Sequence, residues 1–301
     1  MLNSLRTNKQ LINKYKDDIE FICPEVKQTV DRKTLEQYLT KCDGWIIGDD
    51  FADRSLLKTV SENGLKAIIK WGIGIDNIDI NACKDFKIKF TNTPGMFNNE
   101  VADLAVGYLI ALAREFVAID RGVRSGHWPK NQGISLENKC IGLIGYGDIG
   151  KNFSLKCRAL GMRINVYDPA ITMITDTSTN LYKWPNNIEE CDFIVLTCSL
   201  NKNNVHLISD KLLKSCKNGL RIINVSRGQL IDEKALIDNL ETGKVHSAAL
   251  DVFEEEPLNL NSKLAEHPLN ILGTHNASNT YEAVMKTNKL CIKLVREYLE
   301  I

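Results

Sequence analysis

Apolar positions along the chain fall into short β-type runs separated by segments of helical spacing, the beat of an α/β fold with parallel sheets. In the first third, "IEFIC", "GWIIG", "KAIIKW" and "IKFTN" predict four strands. Between them, "DRKTLEQYLTK" and "DRSLLKTVSEN" have helical spacing. Each opens with an aspartate, Asp31 or Asp53, whose carboxylate can accept from the N–H groups of a first turn. The stretch "NNEVADLAVGYLIALAREFVAIDRGV" is apolar nearly all round and predicts one long buried helix. Six more strand candidates follow: "CIGLIG", "MRINVYD", "DFIVLTC", "LRIINVS", "HSAALDV" and "LNILGTH". The closing "TYEAVMKTNKLCIKLVREYLE" predicts one amphipathic helix.

Length adds a division to this pattern. At 301 residues the chain exceeds what one core usually organises, so two domains are expected. The smaller comprises residues 1–98 together with 280–301, the closing helix returning to it; the larger, six-stranded one comprises 99–279. Charge then removes two partners. With 38 basic and 38 acidic side chains there is no net field to attract nucleic acid or an anionic membrane. The apolar stretch "LAVGYLIALA" is too short to span a bilayer, and "MLNSLRTNKQLINKYKDD" lacks the apolar centre of a secretory signal. The nine cysteines are scattered, without a CxxC pair, which predicts reduced thiols, a cytoplasmic location and no metal site.

Candidate chemistry begins at "CIGLIGYGDIG", where Gly145, Gly147 and Gly150 form a GxGxxG between a predicted strand and a predicted helix. The first glycine suits a tight turn, the second a close backbone approach to pyrophosphate, the third close helix–strand packing. The helix start, with Asp148 and Ile149, offers N–H groups and a positive dipole end to phosphates. The next strand ends in Asp168, 18 residues past Gly150, where an acid accepts from ribose hydroxyls. No Arg or Lys follows in "DPAITMITD", so a 2′-phosphate would meet uncompensated repulsion. The expected cofactor is NAD.

Three later strand ends carry ionisable groups: Arg227 in "INVSRGQLID", the acids of "ALDVFEEEPL", and His275 in "LNILGTH". Alone, His275 reads more readily as a strand-end residue with no chemical role. In an open parallel sheet, however, ligands bind outside the carboxyl ends of the strands, so these groups can face the crevice where the glycine loop holds the cofactor.

Taken in order, "GYGDIG…YDP…NVSRGQLID…ALDVFEEEP…HNASNTYEA" resembles the D-isomer-specific 2-hydroxyacid dehydrogenases, particularly their phosphoglycerate dehydrogenase-like branch. "KWGIGIDNIDINA", "NTPGMFNNEVADLAVGYLIALAR" and "GHWPK" match that family's substrate-domain and dimer-arm patterns, and the resemblance covers roughly residues 30 to 300. It implies two Rossmann-like doubly wound domains, the first flavodoxin-like and substrate-binding, the second NAD-binding, with the active site in the cleft between them. It also implies hydride transfer between the nicotinamide and C2 of a small 2-hydroxy or 2-oxo acid, in a homodimer. Carried over position by position, the catalytic set is Arg227, Glu256 and His275. An arginine fork suits a carboxylate and a 2-oxygen, a histidine can exchange the hydroxyl proton, and a carboxylate against its other nitrogen fixes the tautomer. Glu254 and Glu255 read as a solvated face. Asp251 and Val101 are implied near the cofactor, with Asn98 and Asn99 near the nicotinamide. The substrate carboxylate falls to Ile73, Gly74 and Ile75 of "GIGID" together with Arg227, and Lys70 and Lys130 are the cations available to a phosphate.

Departures from the family pattern bear on the substrate. Phosphoglycerate dehydrogenases carry Arg-Ser after the strand that ends here in "WIIGDD"; this chain has Gly48 and Asp49, and an acid there disfavours a phosphate. The chain begins with helical pattern where a strand is usual, and its closing helix comes at the end of the sequence, so feedback through the serine-sensing domain of some members is not expected. A different use of the same fold, an NAD(H)-sensing corepressor, is the competing function; it would bind NADH tightly and turn over slowly or not at all.

Overall fold

Apolar runs become strands in this protein where a neighbouring strand is present to take their ladder hydrogen bonds. The computed structural model describes residues 3–25, 29–174, 178–259 and 261–301. The chain divides into two compact units, Met1–Phe97 with Asn279–Ile301, and Asn98–Ser278.

Unit 1 contains α1 (Asn3–Arg6), α2 (Lys9–Tyr15), α3 (Arg32–Leu39), β1 (Gly44–Ile47), α4 (Arg54–Glu62), β2 (Ala67–Lys70), α5 (Ile80–Asp85) and β3 (Lys89–Thr91). Its strands are parallel in the order β1-β2-β3. Three helix starts are fixed by aspartates: Asp31, Asp53 and Asp79 accept from the backbone N–H groups of Thr34, Leu56 and Ala82. Along β1 and β2 the side chains alternate between two cores. Trp45, Ile47 and Ile68 pack with Leu35, Leu56 and Val60 of α3 and α4, whereas Ile46 and Ile69 face the other way.

The fourth predicted strand of this region, "IEFIC", is not one. Residues 19–23 have no strand conformation, and β1 pairs with β2 alone. Ile19, Phe21 and Ile22 instead line a cavity of about 200 Å³ with Gly44, Ile46 and Val295. Apolar β-type composition cannot make a strand without a partner for its backbone.

Unit 2 opens with α6 (Asn98–Arg114) and α7 (Phe116–Arg124), then runs β4 (Cys140–Ile144), α8 (Asp148–Ala159), β5 (Arg163–Tyr167), β6 (Thr179–Leu181), β7 (Phe193–Leu196), α9 (Asp210–Ser215), β8 (Leu220–Asn224), α10 (Glu233–Glu241), β9 (Val245–Leu250), α11 (Lys263–Glu266) and β10 (Ile271–Leu272). All seven strands are parallel, in the order β10-β9-β8-β7-β4-β5-β6. From β4 the chain first builds outward through β5 and β6, then returns to the other side of β4 and builds through β7 to β10. The crossover reverses between β4 and β7, the topological switch point where open α/β sheets bind ligands. Strands β4, β7 and β8 are buried throughout, as both faces of a parallel sheet are covered. Residues of α9 and α10 pack on Ile144, Ile194, Leu196 and Ile222, while α6 packs with α8 and against β8 and β9.

Two expectations for this unit need correction. The sheet has seven strands rather than six, because Thr179–Leu181 pairs with β5 although "TNL" carries no alternation to announce it. The long helix is broken at Glu115, which adopts left-handed backbone with φ 54°. In a continuous helix the Ala113 carbonyl would accept from Val117; here it accepts from Ile134 at 2.8 Å. The Glu115 carboxylate accepts from Asn131 at 3.0 Å and lies 3.3 Å from His246 Nε2, so tertiary partners hold the break.

The closing helix α12 (Tyr281–Leu299) starts at Thr280, whose hydroxyl accepts from Ala283 N, and returns to unit 1. Its Cys291, Ile292 and Val295 pack with Ile46, Ile69, Leu5 and Leu11, and Asn288 accepts from Trp71 Nε1 at 2.8 Å. All nine cysteines are free. No helix among the described residues is long and apolar enough to cross a membrane.

Candidate active site

Because the strands of unit 2 are parallel, whatever follows each strand lies at one edge of the sheet. Gly145 follows β4, Asp168 follows β5, Cys198 follows β7, Arg227 follows β8, Asp251 follows β9 and His275 follows β10. Residues spread over 131 positions of sequence (275 − 145 + 1) are thereby gathered on one edge.

The three glycines do different things. Gly145 has φ 96°, a conformation that side chains rarely adopt, and a Cβ on it would lie 2.6 Å from Cys198 N. A Cβ on Gly150 would overlap the Gly145 carbonyl oxygen, so this glycine lets α8 pack onto the end of β4. A Cβ on Gly147 would meet no protein atom within 4 Å. Packing therefore does not require Gly147. Gly147 is also the N-cap of α8, with no side chain capping the helix, so the first-turn N–H groups at Asp148 and Ile149 are positioned to meet an anion. Thr197 Oγ1 donates to the Gly145 carbonyl at 2.9 Å and stiffens the turn. Burial pushes the Cys198 thiol up to about 11, so no thiolate competes with a phosphate there. The Asp168 carboxylate accepts from Tyr146 N at 2.7 Å and from Ala170 N at 2.9 Å, which sets it beside the glycine turn.

The ionisable cluster is built on the turns after β8, β9 and β10. Asn224 Nδ2 donates to the Arg227 carbonyl at 2.8 Å, and Ser226 Oγ donates to the Cys198 carbonyl, tying this turn to the end of β7. Arg227 Nη1 donates to the Ser226 carbonyl at 2.8 Å. A Cβ on Gly228 would overlap the Phe253 carbonyl, so the residue after Arg227 must be a glycine for the two turns to touch. Glu256 Oε1 accepts from Phe253 N at 3.0 Å, and Glu256 Oε2 lies 2.8 Å from His275 Nδ1. Both side chains are about a quarter exposed, 23% for Glu256 and 27% for His275. His275 has φ 54°, a strained backbone for a non-glycine residue, and its N–H donates to the Asp251 carbonyl at 2.6 Å.

Asp251 is almost fully buried, and its carboxylate turns inward: Oδ1 accepts from Tyr108 Oη at 3.3 Å and Oδ2 from Ala277 N at 2.8 Å. The sequence did not single out Tyr108. Burial and the Asp251 charge push its phenol well above the usual range, so it stays a donor. Val101 is buried in the first turn of α6, and Asn98, at the helix start, has a buried Oδ1 without a hydrogen-bond partner among the described residues. Lys130 is exposed, close to Trp128, which is 79% exposed.

Unit 1 shows its own strand ends. Lys70, the last residue of β2, is only 3% exposed; its ammonium donates to the Gly48 carbonyl and lies 3.8 Å from Asp49 Oδ1. The cation and the acid that the sequence sets against each other are therefore one ion pair, and Lys70 is buried rather than extended toward solvent. Past it, Gly72 has φ 132° and donates to Thr93 Oγ1 at 2.9 Å, and the side chains of Ile73 and Ile75 are exposed while Gly74 is half-buried.

Residues 106–277 match the family model described as D-isomer specific 2-hydroxyacid dehydrogenase, NAD binding domain. A hydroxypyruvate reductase of Thermotoga maritima is 40% identical over 195 residues, 64% of this chain and 63% of that protein. A glyoxylate reductase of Thermococcus litoralis is 36% identical over 245 residues, 78% of this chain and 73% of that protein. Among solved structures, a glyoxylate reductase from Paecilomyes thermophila superposes with a TM-score of 0.81 at 28% identity, covering 89% of this chain and 86% of that one.

Proposed function

The chain belongs to the D-isomer specific 2-hydroxyacid dehydrogenases, with their NAD-binding domain in unit 2, and from that premise we propose that it interconverts a small 2-oxoacid and its D-2-hydroxyacid with NAD(H). The observation that carries this reading is the 2.8 Å contact between Glu256 Oε2 and His275 Nδ1, on the same sheet edge as the glycine turn. The bound nicotinamide supplies or takes the hydride at C4.

Each residue then has a role that its chemistry fits. The first turn of α8 and the open space at Gly147 receive the pyrophosphate, and Asp168 receives the adenosine ribose. Arg227 offers a planar, permanently charged fork to the acid's carboxylate and 2-oxygen. Glu256 holds Nδ1–H of His275, which directs Nε2 to the substrate oxygen; there it gives a proton as the carbonyl is reduced and takes one as the alcohol is oxidised. The inward bonds of Asp251 support a structural role, since its carbonyl and carboxylate hold the His275 and Ala277 backbones. Asn98 has a buried oxygen with no hydrogen-bond partner among the described residues, which supports a place for it beside the nicotinamide amide.

Unit 1, taken by itself, bears on the charge of the acid. The Lys70–Asp49 pair leaves no net positive charge at the ends of β1 and β2, and this supports an unphosphorylated acid over a phosphoglycerate-type one. The exposed Lys130 is the observation on the other side. A homodimer is supported by α7, which has no buried residue and exposes Phe116 and Val123 near Trp128.

The test is NADH absorbance against hydroxypyruvate, glyoxylate, pyruvate, branched 2-oxoacids and 3-phosphohydroxypyruvate. Turnover of an unphosphorylated acid is the expected result. Preference for the phosphorylated acid would return the protein to the phosphoglycerate dehydrogenase-like branch. Tight NADH binding with no acid turned over would favour the sensor.

A further inference from the structure

Glu254 sits two residues before Glu256, in an acidic run that reads from sequence as a solvated face. The structure gives it four contacts with three residues. Its Oε1 accepts from the Glu233 backbone N–H at 3.2 Å and lies 2.9 Å from His206 Nε2. Its own N–H donates to Glu233 Oε1 at 2.6 Å, and its carbonyl accepts from Gln229 Nε2 at 3.0 Å. His206 closes the ring, its N–H donating to the Gln229 carbonyl at 2.8 Å. A Cβ on Gly228 would overlap the Phe253 carbonyl and the Glu254 nitrogen, so the turn that follows Arg227 lies directly against this residue.

One residue therefore joins three separate stretches of sequence: the loop after β7 at His206, the stretch from the turn after Arg227 to the first turn of α10 at Glu233, and the loop that leads to Glu256. The last step is short. Glu256 Oε1 accepts from Phe253 N, the neighbour of Glu254, so the carboxylate facing His275 is anchored to the segment that Glu254 holds. Burial pushes the Glu233 carboxyl up, the Glu254 N–H that it accepts opposes this, and the charges of Glu254, Glu256 and Glu255 add to the rise.

We propose that Glu254 is a positioning residue: through Glu233 and His206 it holds the Glu256 carboxylate on His275 and braces the turn that presents Arg227. The inference rests on Glu256 and His275 being the proton-transfer pair. Misplacement of a catalytic group by about an ångström can cost about 100-fold in rate, which is the leverage such a joint has.

The experiment compares Glu254→Ala, Glu254→Gln, His206→Ala and the double variant His206→Ala/Glu254→Ala, following kcat and KM for the preferred 2-oxoacid, NADH affinity by fluorescence, melting temperature, and the ¹⁵N spectrum of His275. Glu254→Ala is expected to lower kcat about tenfold or more with NADH affinity unchanged, because the glycine turn lies after β4. Glu254→Gln should recover most of the loss, since an amide oxygen accepts from the same two N–H groups. His206→Ala should lose less, and the double variant should be no worse than Glu254→Ala, as members of one unit are non-additive. In the wild type His275 should show a single Nδ1-protonated tautomer, and Glu254→Ala should show a mixture. An unchanged kcat with an unchanged His275 spectrum would overturn the proposal. So would a loss that tracks the melting temperature and that glutamine does not rescue. If the wild type reduces no 2-oxoacid, the dehydrogenase reading fails instead, and the His275 spectrum still decides whether Glu254 positions the pair.

Discussion

Oε2 of Glu256 lies 2.8 Å from Nδ1 of His275, and the main-chain N–H of the same histidine donates to Asp251 at 2.6 Å. The imidazole is held by its ring and by its backbone, both from the segment that follows β9. A histidine that only closed a strand would need neither the second anchor nor its left-handed backbone, φ 54°.

From that geometry, His275→Ala should lower kcat for 2-oxoacid reduction by about 100- to 10,000-fold, the range for a lost general acid. NADH affinity should change little, since the glycine turn follows β4 whereas His275 follows β10. Stopped-flow reduction together with a fluorescence titration of NADH checks both halves; wild-type-like turnover would remove His275 from the mechanism.

The glycines separate packing from ligand approach. Gly150→Ala would drive a methyl into the Gly145 carbonyl and should cost about 1–3 kcal/mol of stability. Gly147→Ala meets no protein atom, so it should melt like the wild type yet bind NADH about tenfold or more weakly. Melting curves and NADH titrations of the two variants check this pair of outcomes; a Gly147→Ala protein with full NADH affinity would displace the pyrophosphate from this turn.

Asp168 should determine the choice of dinucleotide. Asp168→Ala removes the acceptor for the ribose hydroxyls and the charge that repels a 2′-phosphate, so the NADH-to-NADPH preference should fall about tenfold or more. Equal losses with the two dinucleotides would show that the residue only shapes the turn through Tyr146 and Ala170.

Tyr108→Phe tests the buried aspartate. With the phenol gone, Asp251 Oδ1 loses a donor in a site that is 1% exposed, at a cost of about 1–3 kcal/mol. Urea unfolding should show it; an unchanged midpoint would mean that another donor serves the same oxygen.

Acid should weaken the fold through His246 and His267. Burial lowers both below the ordinary histidine value of 6.5, Arg221 adding to the effect at His246 while Glu115 opposes it. Below about pH 6.5 the unfolded chain binds protons that the folded one refuses, so stability falls as pH drops through that window and is fully present above it. Urea midpoints across that range should decline toward acid, and His246→Gln should flatten the curve; a steeper decline in that variant would contradict the assignment.

Much of this was legible in sequence because the signals were local. The GxGxxG with its following Asp168, and the apolar runs of β4, β5, β7 and β8, need only a few neighbouring residues to be recognised, and family order supplied Arg227, Glu256 and His275. The NAD-binding domain match over 106–277 agrees with the first of these, and the α/β fold with parallel sheets formed as expected.

What escaped notice depended on partners distant in the chain. "IEFIC" has strand composition but no ladder neighbour, and "TNL" has no pattern yet finds one in β5. Helical periodicity runs straight through Glu115, where Asn131, Ile134 and His246 draw the chain out of the helix. The charges of Lys70 and Asp49 read as opposing arguments until the ends of β1 and β2 proved adjacent. Glu254 looks like its neighbour Glu255 in sequence, and only the arrival of Glu233 and His206 tells them apart. Composition and spacing determined the elements, the cofactor turn and the chemical types at the strand ends, because those rest on contacts within a few residues. Tertiary structure alone decided which backbones were paired and which charges were neutralised, because a hydrogen bond or ion pair needs both members within about 3–4 Å, and here the second member is brought in by the fold.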